Sequence, residues 1–162
     1  MKVLIVSDTH RQNMNLYKVL GMYDDIDMLL HLGDAEGGED YFAEVAGCPI
    51  EIVSGNCDFF SNLPRERIIT LGKYNVWMTH GHQYNVSFTF DRLISEAEYR
   101  NIDIVMFGHI HRPLVEKHRN ITLVNPGSLS YPRQANRKPS YVIMEIDDAG
   151  EAHFEIKYLK AD

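Results

Sequence analysis

The chain has 162 residues, of which 44% are hydrophobic and 24% charged, and its formal net charge is -7. That length suits one hydrophobic core, hence a single domain over residues 1–162, and the composition excludes a disordered chain. The negative charge argues against strong nucleic-acid binding through a broad basic surface, and no apolar run approaches the roughly 18 residues of a membrane span. The apolar part of the N-terminus is too short for a secretory leader and lacks a small-residue cleavage site. The two cysteines, Cys48 and Cys57, offer no disulfide framework, so a cytoplasmic setting is expected.

In chain order, Lys2–Val6 (KVLIV) is a β-branched run that predicts a first strand. A helical stretch near residues 13–23 precedes a strand at 27–32, and a second helical stretch at 39–45 precedes a strand at 49–53. Segments 67–71 and 74–80 read as paired strands turning at Gly72 and Lys73. Residues 88–100 form the clearest amphipathic helix, with Phe90, Leu93, Ile94 and Ala97 on one face. Strands follow at 103–108, 114–118, 121–127, 141–147 and 153–159, the last two joined by DDAG. Strand–helix alternation in the first half predicts a parallel sheet, and the hairpins and meander of the second half predict antiparallel pairing. The expected fold is a mixed-sheet α/β domain, two sheets with helices outside them.

The chemistry collects where the apolar runs end. VLIV ends in SDTH, with Asp8 and His10; MLLHL ends in GD, with Asp34; IEIV ends in SGNCD, with Asn56 and Asp58. NVWM ends in THGH, with His80 and His82, and DIVMF ends in GHIH, with His109 and His111. Sites in open α/β sheets form outside the carboxyl ends of strands, so these five loops can converge. Several imidazoles and carboxylates brought together without water are costly, and divalent cations offset that cost. His31, inside its strand, is expected to be a buried residue behind the ligands, and His118 and His153 to lie on the surface. The basic stretch PRQANRKP (132–139) reads as solvated surface, with a substrate-anion or subunit contact as the alternative.

Asp-x-His, Gly-Asp, Gly-Asn-x-Asp, Thr-His-Gly-His and Gly-His-x-His, in that order, resemble the calcineurin-like metallophosphoesterase superfamily, and NPGS (125–128) extends the likeness. The length and GNCD resemble the small YfcE-type phosphodiesterases of bacteria and archaea. The resemblance implies a four-layer sandwich, two mixed β-sheets flanked by α-helices. It also implies a dinuclear site in which Asp8, His10 and His111 hold one metal, Asn56, His80 and His109 hold the other, and Asp34 bridges them. Such an N/O ligand set suits divalent transition metals: manganese first, with nickel, iron or zinc as alternatives. With Asp8 and Asp34 ionised and a bridging hydroxide present, the site would keep about one positive charge for a phosphate, which the hydroxide attacks in line.

The implied activity is hydrolysis of a small phosphodiester substrate. The alternatives are a nuclease, a phosphomonoesterase, or a non-catalytic scaffold such as the retromer subunit that shares this size class. FFSNLPRER and SLSYPRQANRKP are candidate pocket walls, and family resemblance makes a homo-oligomer plausible. The chain departs from the wider family at Cys57, which takes the place of a histidine thought to assist the leaving group. A thiol reaches and donates poorly there, so His82 is the other candidate for phosphate contact or proton supply.

Overall fold

The computed structural model describes residues 1–160; the single-domain expectation extends to residues 161 and 162, which lie outside the described residues. Strand β1 (Lys2–Val6) is covered on both faces. Val3 and Ile5 enter one apolar cluster while Leu4 and Val6 enter another, as a continuous apolar run demands of a central strand. Helix α1 (Met14–Leu20), β2 (Met28–His31), α2 (Glu39–Ala46) and β3 (Ile50–Ile52) follow in alternation. The two crossovers set β1, β2 and β3 parallel, with Val3 opposite Met28 and Leu29 opposite Ile50. Helix α1 is shorter than the residues that suggest it: it stops at Leu20, and Gly21 closes it with its N–H on the Tyr17 carbonyl, whereas α2 spans its expected residues and adds Ala46.

Strands β4 (Glu66–Leu71) and β5 (Tyr74–Thr79) form the expected hairpin, turning at Gly72 with φ +58°. Helix α3 (Asp91–Tyr99) then crosses to β6 (Ile104–Met106), followed by β7 (Pro113–His118), β8 (Ile121–Pro126), β9 (Ser140–Ile146) and β10 (Ala152–Tyr158). Two mixed five-stranded sheets result, ordered β10-β9-β1-β2-β3 and β4-β5-β6-β8-β7.

The expectation of antiparallel pairing throughout the second half holds for β4–β5, β7–β8 and β9–β10 but not for the centre of the second sheet. There β6 runs parallel to both β5 and β8. Between β5 and β6 the physical reason is α3, a crossover that returns the chain in the same direction, as the two crossovers of the first sheet do; β8 runs parallel beside β6 because β7, which precedes it in sequence, pairs on its outer side.

Side-chain alternation explains the layering. Val76, Met78, Ile104, Met106 and Val124 meet Val3, Ile5, Val142 and Met144 between the sheets. Trp77, Val105, Phe107 and Leu123 point the other way, toward Leu93 and Ala97 of α3. On the far side, Leu4, Leu29 and Ile143 pack on Leu16 and Val19 of α1 and Phe42 of α2. The order is therefore helix, sheet, sheet, helix. Strands β1, β2 and β3 run parallel in one sheet and β5 and β6 in the other, so each set delivers its carboxyl-end loops to one edge of its sheet.

Candidate metal centre

The five strand-end loops are tied to each other by their backbones. Asp8 N–H donates to the Gly33 carbonyl at 3.0 Å and His10 N–H to the Asp34 carbonyl at 2.9 Å, joining the β1 and β2 ends. In the second sheet Gly108 N–H donates to the His80 carbonyl at 3.1 Å. The two sheets meet where His109 N–H reaches Asp8 Oδ2 at 3.2 Å and Ser128 Oγ donates to the Asp8 carbonyl at 2.8 Å. Close approach requires glycine: a Cβ on Gly55 would lie 2.0 Å from Asp34 Oδ1, and one on Gly108 would lie 2.1 Å from Ser7 Oγ. Asp8, His10, Asp34, His109 and His111 all adopt left-handed backbone, with φ between +46° and +69°. Such conformations are costly for residues with a side chain and cluster at functional sites.

This backbone brings donor atoms together in two groups around Asp8, beside a third made of His10, Glu36 and Cys57. Asp8, His10 and His111 form one, with His111 Nε2 3.0 Å and His10 Nε2 3.8 Å from Asp8 Oδ1. Asp8, Asp34 and His80 form the other, with His80 Nε2 3.3 Å from Asp34 Oδ2 and 3.9 Å from Asp8 Oδ1. Asp34 lies between them, its Oδ2 also 3.8 Å from His10 Nε2. His109 sits beside the second group, its ring centroid 5.2 Å from that of His80. Asn56 is exposed at the edge, with its Nδ2 3.4 Å from Cys57 Sγ. His82 lies on a short 3-10 turn after β5, its ring 5.5 Å from His80 and 6.1 Å from His109.

The hydrogen bonds behind the rings decide what faces the centre. His80 Nδ1 lies 2.7 Å from the Leu32 carbonyl, and His111 Nδ1 lies 2.7 Å from the Tyr131 carbonyl. A carbonyl only accepts, so each Nδ1 carries the proton and, in the neutral ring, Nε2 presents a lone pair. His10 Nδ1 is likewise engaged, 2.6 Å from Glu36 Oε1. With all three rings neutral, three lone pairs would thus point at two buried carboxylates. Among the described residues, Asp8 Oδ1 and His80 Nε2 are buried without a hydrogen-bond partner. Acceptors facing acceptors in a dry site are unfavourable unless a cation or a proton lies between them, and oriented Nε2 atoms of this kind are what divalent metals take. The residues fit a metal site.

The electrostatics carry the same sign. Burial opposes charge on His80, yet Asp8 and Asp34 outweigh it and push its pKa up to about 9. Burial also works against ionised Asp34 and Asp8, but the neighbouring histidines hold both carboxyls below their ordinary range. His82 and His109 titrate lower than usual because they are partly buried and lie beside His80. His31 is fully buried, with Nε2 3.1 Å from Thr9 Oγ1, and burial lowers its pKa to about 4; it supports the loops, as expected, from behind.

Asp58, which stands at a strand end among metal-capable residues, does something else. Its carboxylate accepts three backbone N–H groups, from Asp34 at 2.8 Å, Gly55 at 2.7 Å and Glu36 at 2.6 Å, and so shapes the loop around Asp34. Glu36, two residues after Asp34, has a role that the motif GD does not announce. Asn125 and Ser128 of NPGS are buried and act on backbone: Asn125 Nδ2 donates to the Gly108 carbonyl at 2.8 Å.

With this geometry in view, the matches to known proteins are specific. A model of the calcineurin-like phosphoesterase superfamily domain matches residues 1–149. The chain is 33% identical over 156 residues to the probable metallophosphoesterase YsnB of Bacillus subtilis, covering 95% of this chain and 90% of that protein. A predicted phosphoesterase from Streptococcus pneumoniae superposes with a TM-score of 0.82 at 31% identity, over 98% of this chain and 88% of that one. Zinc-complexed Vps29 of Entamoeba histolytica shares the fold at 22% identity, with a TM-score of 0.78 over 98% and 99% of the two chains. An archaeal phosphodiesterase shares it at 20% identity, with a TM-score of 0.76 over 97% and 100%. The fold, the ordered strand-end motifs and the extent of these matches agree: the chain belongs to the calcineurin-like phosphoesterase superfamily.

Proposed function

We propose that the protein is a metal-dependent phosphodiesterase that uses two divalent transition-metal ions. The observation that carries this reading is the pair of orphaned, buried atoms, Asp8 Oδ1 and His80 Nε2, inside a ring of histidines whose other nitrogens are already committed. Asp8, His10 and His111 would hold one ion, Asn56, His80 and His109 the other, with Asp34 shared between them. Asn56 gives its Nδ2 to Cys57 Sγ, which leaves its carbonyl oxygen to act as a ligand. When bound, such ions supply Lewis acidity toward phosphate oxygens and lower the pKa of bound water. Manganese is the first choice, and nickel, iron or zinc suit the same donors.

The chain's own residues supply the rest. The Nδ1 of His82 is buried with no hydrogen-bond partner among the described residues, and its depressed pKa favours the neutral ring, which can contact phosphate beside His80 and His109. Arg133 and Arg137 line the cleft with His10, His109 and His111, giving an acidic protein a locally basic approach for an anion. No covalent phosphoenzyme is required.

The test is metal-loaded turnover of bis-p-nitrophenyl phosphate against p-nitrophenyl phosphate. The diester is expected to be cleaved faster, and Asp34→Ala to lose turnover while its circular dichroism stays that of the parent. Equal or faster cleavage of the monoester would point to a phosphomonoesterase. A chain that takes up no metal and cleaves neither ester would instead be a scaffold of the same fold.

A further inference from the structure

A cavity of about 650 Å³ forms a second chamber beside the metal cleft. The loop after β6 divides the two. His109 and His111 line the metal cleft, while the alternate residues Ile110 and Arg112 line the chamber, and Arg133 lines both. Ile94, Ile110 and Leu114 give the chamber apolar lining, and Phe88, 86% exposed, lines it with them. Among the described residues no ring stacks on Phe88, and an exposed aromatic face on a lining shared with aliphatic side chains fits a planar partner group. Among the described residues neither Arg112 nor Arg133 is paired with a carboxylate, so two cations stand free on this lining for an anion. The Asp91 carboxylate, at the start of α3, also lines the chamber and can accept from ring N–H or amino groups.

We propose that this chamber is the subsite for the non-leaving substituent of the substrate, and that the substituent is a nucleoside. The base would lie against Phe88, Ile94, Ile110 and Leu114, with the phosphate passing Arg133 toward the histidines. The volume lies within the usual range of small-molecule sites, roughly 300–1,000 Å³, and the mix of an apolar lining with few polar groups is the usual composition of one. This inference rests on the phosphodiesterase reading for its substrate class, but the pocket can be tested apart from it.

Two diesters with one leaving group separate the effects: methyl p-nitrophenyl phosphate and the p-nitrophenyl ester of thymidylate. The manganese-loaded protein is expected to favour the thymidylate ester in kcat/KM, and Phe88→Ala to reduce that preference about tenfold, the scale of one base-stacking contact. Tyr99→Ala, an exposed aromatic change at the far end of α3 and outside the chamber's lining, should leave the preference intact. No preference in the parent, or one untouched by Phe88→Ala, overturns the proposal. If neither ester is cleaved, the phosphodiesterase reading fails, and saturation-transfer NMR of thymidine monophosphate with the protein decides the pocket alone. Base-proton signals lost in Phe88→Ala support it, and signals retained at full strength, or absent in the parent, overturn it.

Discussion

At Cys57, burial and then the Asp34 carboxylate push the thiol pKa up to about 11, so near neutrality the side chain is a short, weak, uncharged donor. Its backbone matters more: Cys57 N–H donates to Asp34 Oδ1 at 2.8 Å and helps fix that carboxylate. A thiol in this state is a poor nucleophile and a poor proton source, so phosphoryl transfer here should depend on a good leaving group. Cys57→His is therefore expected to raise turnover of alkyl diesters at least ~10-fold, the low end of acid–base effects, while Cys57→Ser changes little. Rates for a series of leaving groups check this; an unchanged slope against leaving-group pKa would remove position 57 from proton supply. Glu36 acts one bond further out, on His10 Nδ1, and ligand-orienting partners of this type typically carry ~10–100-fold in metal affinity. Glu36→Gln should weaken manganese binding by about tenfold in a chelator competition, and an unaltered dissociation constant would mean that His10 is oriented without it.

Between elements, the loop carrying His80 and His82 is held by a polar cluster on its outer side. Tyr84, just after His82, donates to Glu66 of β4, Gln83 Nε2 donates to the same carboxylate at 2.8 Å, and Arg100 at the end of α3 donates at 2.8 Å. The Arg100 guanidinium also lies 4.6 Å from the Trp77 ring centre. Burial works against ionised Glu66, but Tyr84, Arg100 and Gln83 outweigh it and lower its pKa. A carboxyl depressed in the folded state stabilises the fold above its unfolded pKa, and that stability is lost as pH falls through the folded value. Glu66→Gln is thus expected to cost about 1 kcal/mol near pH 7, allowing for solvent screening of a partly exposed group, and to cost little at a pH well below the ordinary glutamate range. Urea unfolding at the two pH values reads the difference. An equal penalty at both would show that the cluster acts through shape and not charge.

For the molecule as a whole, the two sheets meet at Asp8, and the donor atoms of the proposed site come from both: Asp8, His10, Asp34 and Asn56 from one, His80, His109 and His111 from the other. The strand ends were legible because the apolar runs stop at donor residues, four of the five beside a glycine or serine, a pattern written locally. The parallel pairing of β6 with β8 was not, because β7 lies between them in sequence and no local period encodes which strand returns inside. Asp58 reads like a ligand for a related reason: a carboxylate at a strand end looks the same whether a cation or three backbone N–H groups await it. Because the site is assembled only when both sheets are packed, the unfolded chain cannot reproduce it, and metal binding must be coupled to global stability. Manganese at about 100 times its dissociation constant should add about 2.7 kcal/mol, a Tm rise of ~5–10 °C for a chain of this length, and EDTA should reverse it. Asp34→Ala, which removes the carboxylate between the two groups of donors, should lose most of that rise while its metal-free Tm stays within a few degrees of the parent. A Tm indifferent to manganese in the parent would mean that the converging lone pairs at Asp8, His10, His80 and His111 are relieved by protons instead.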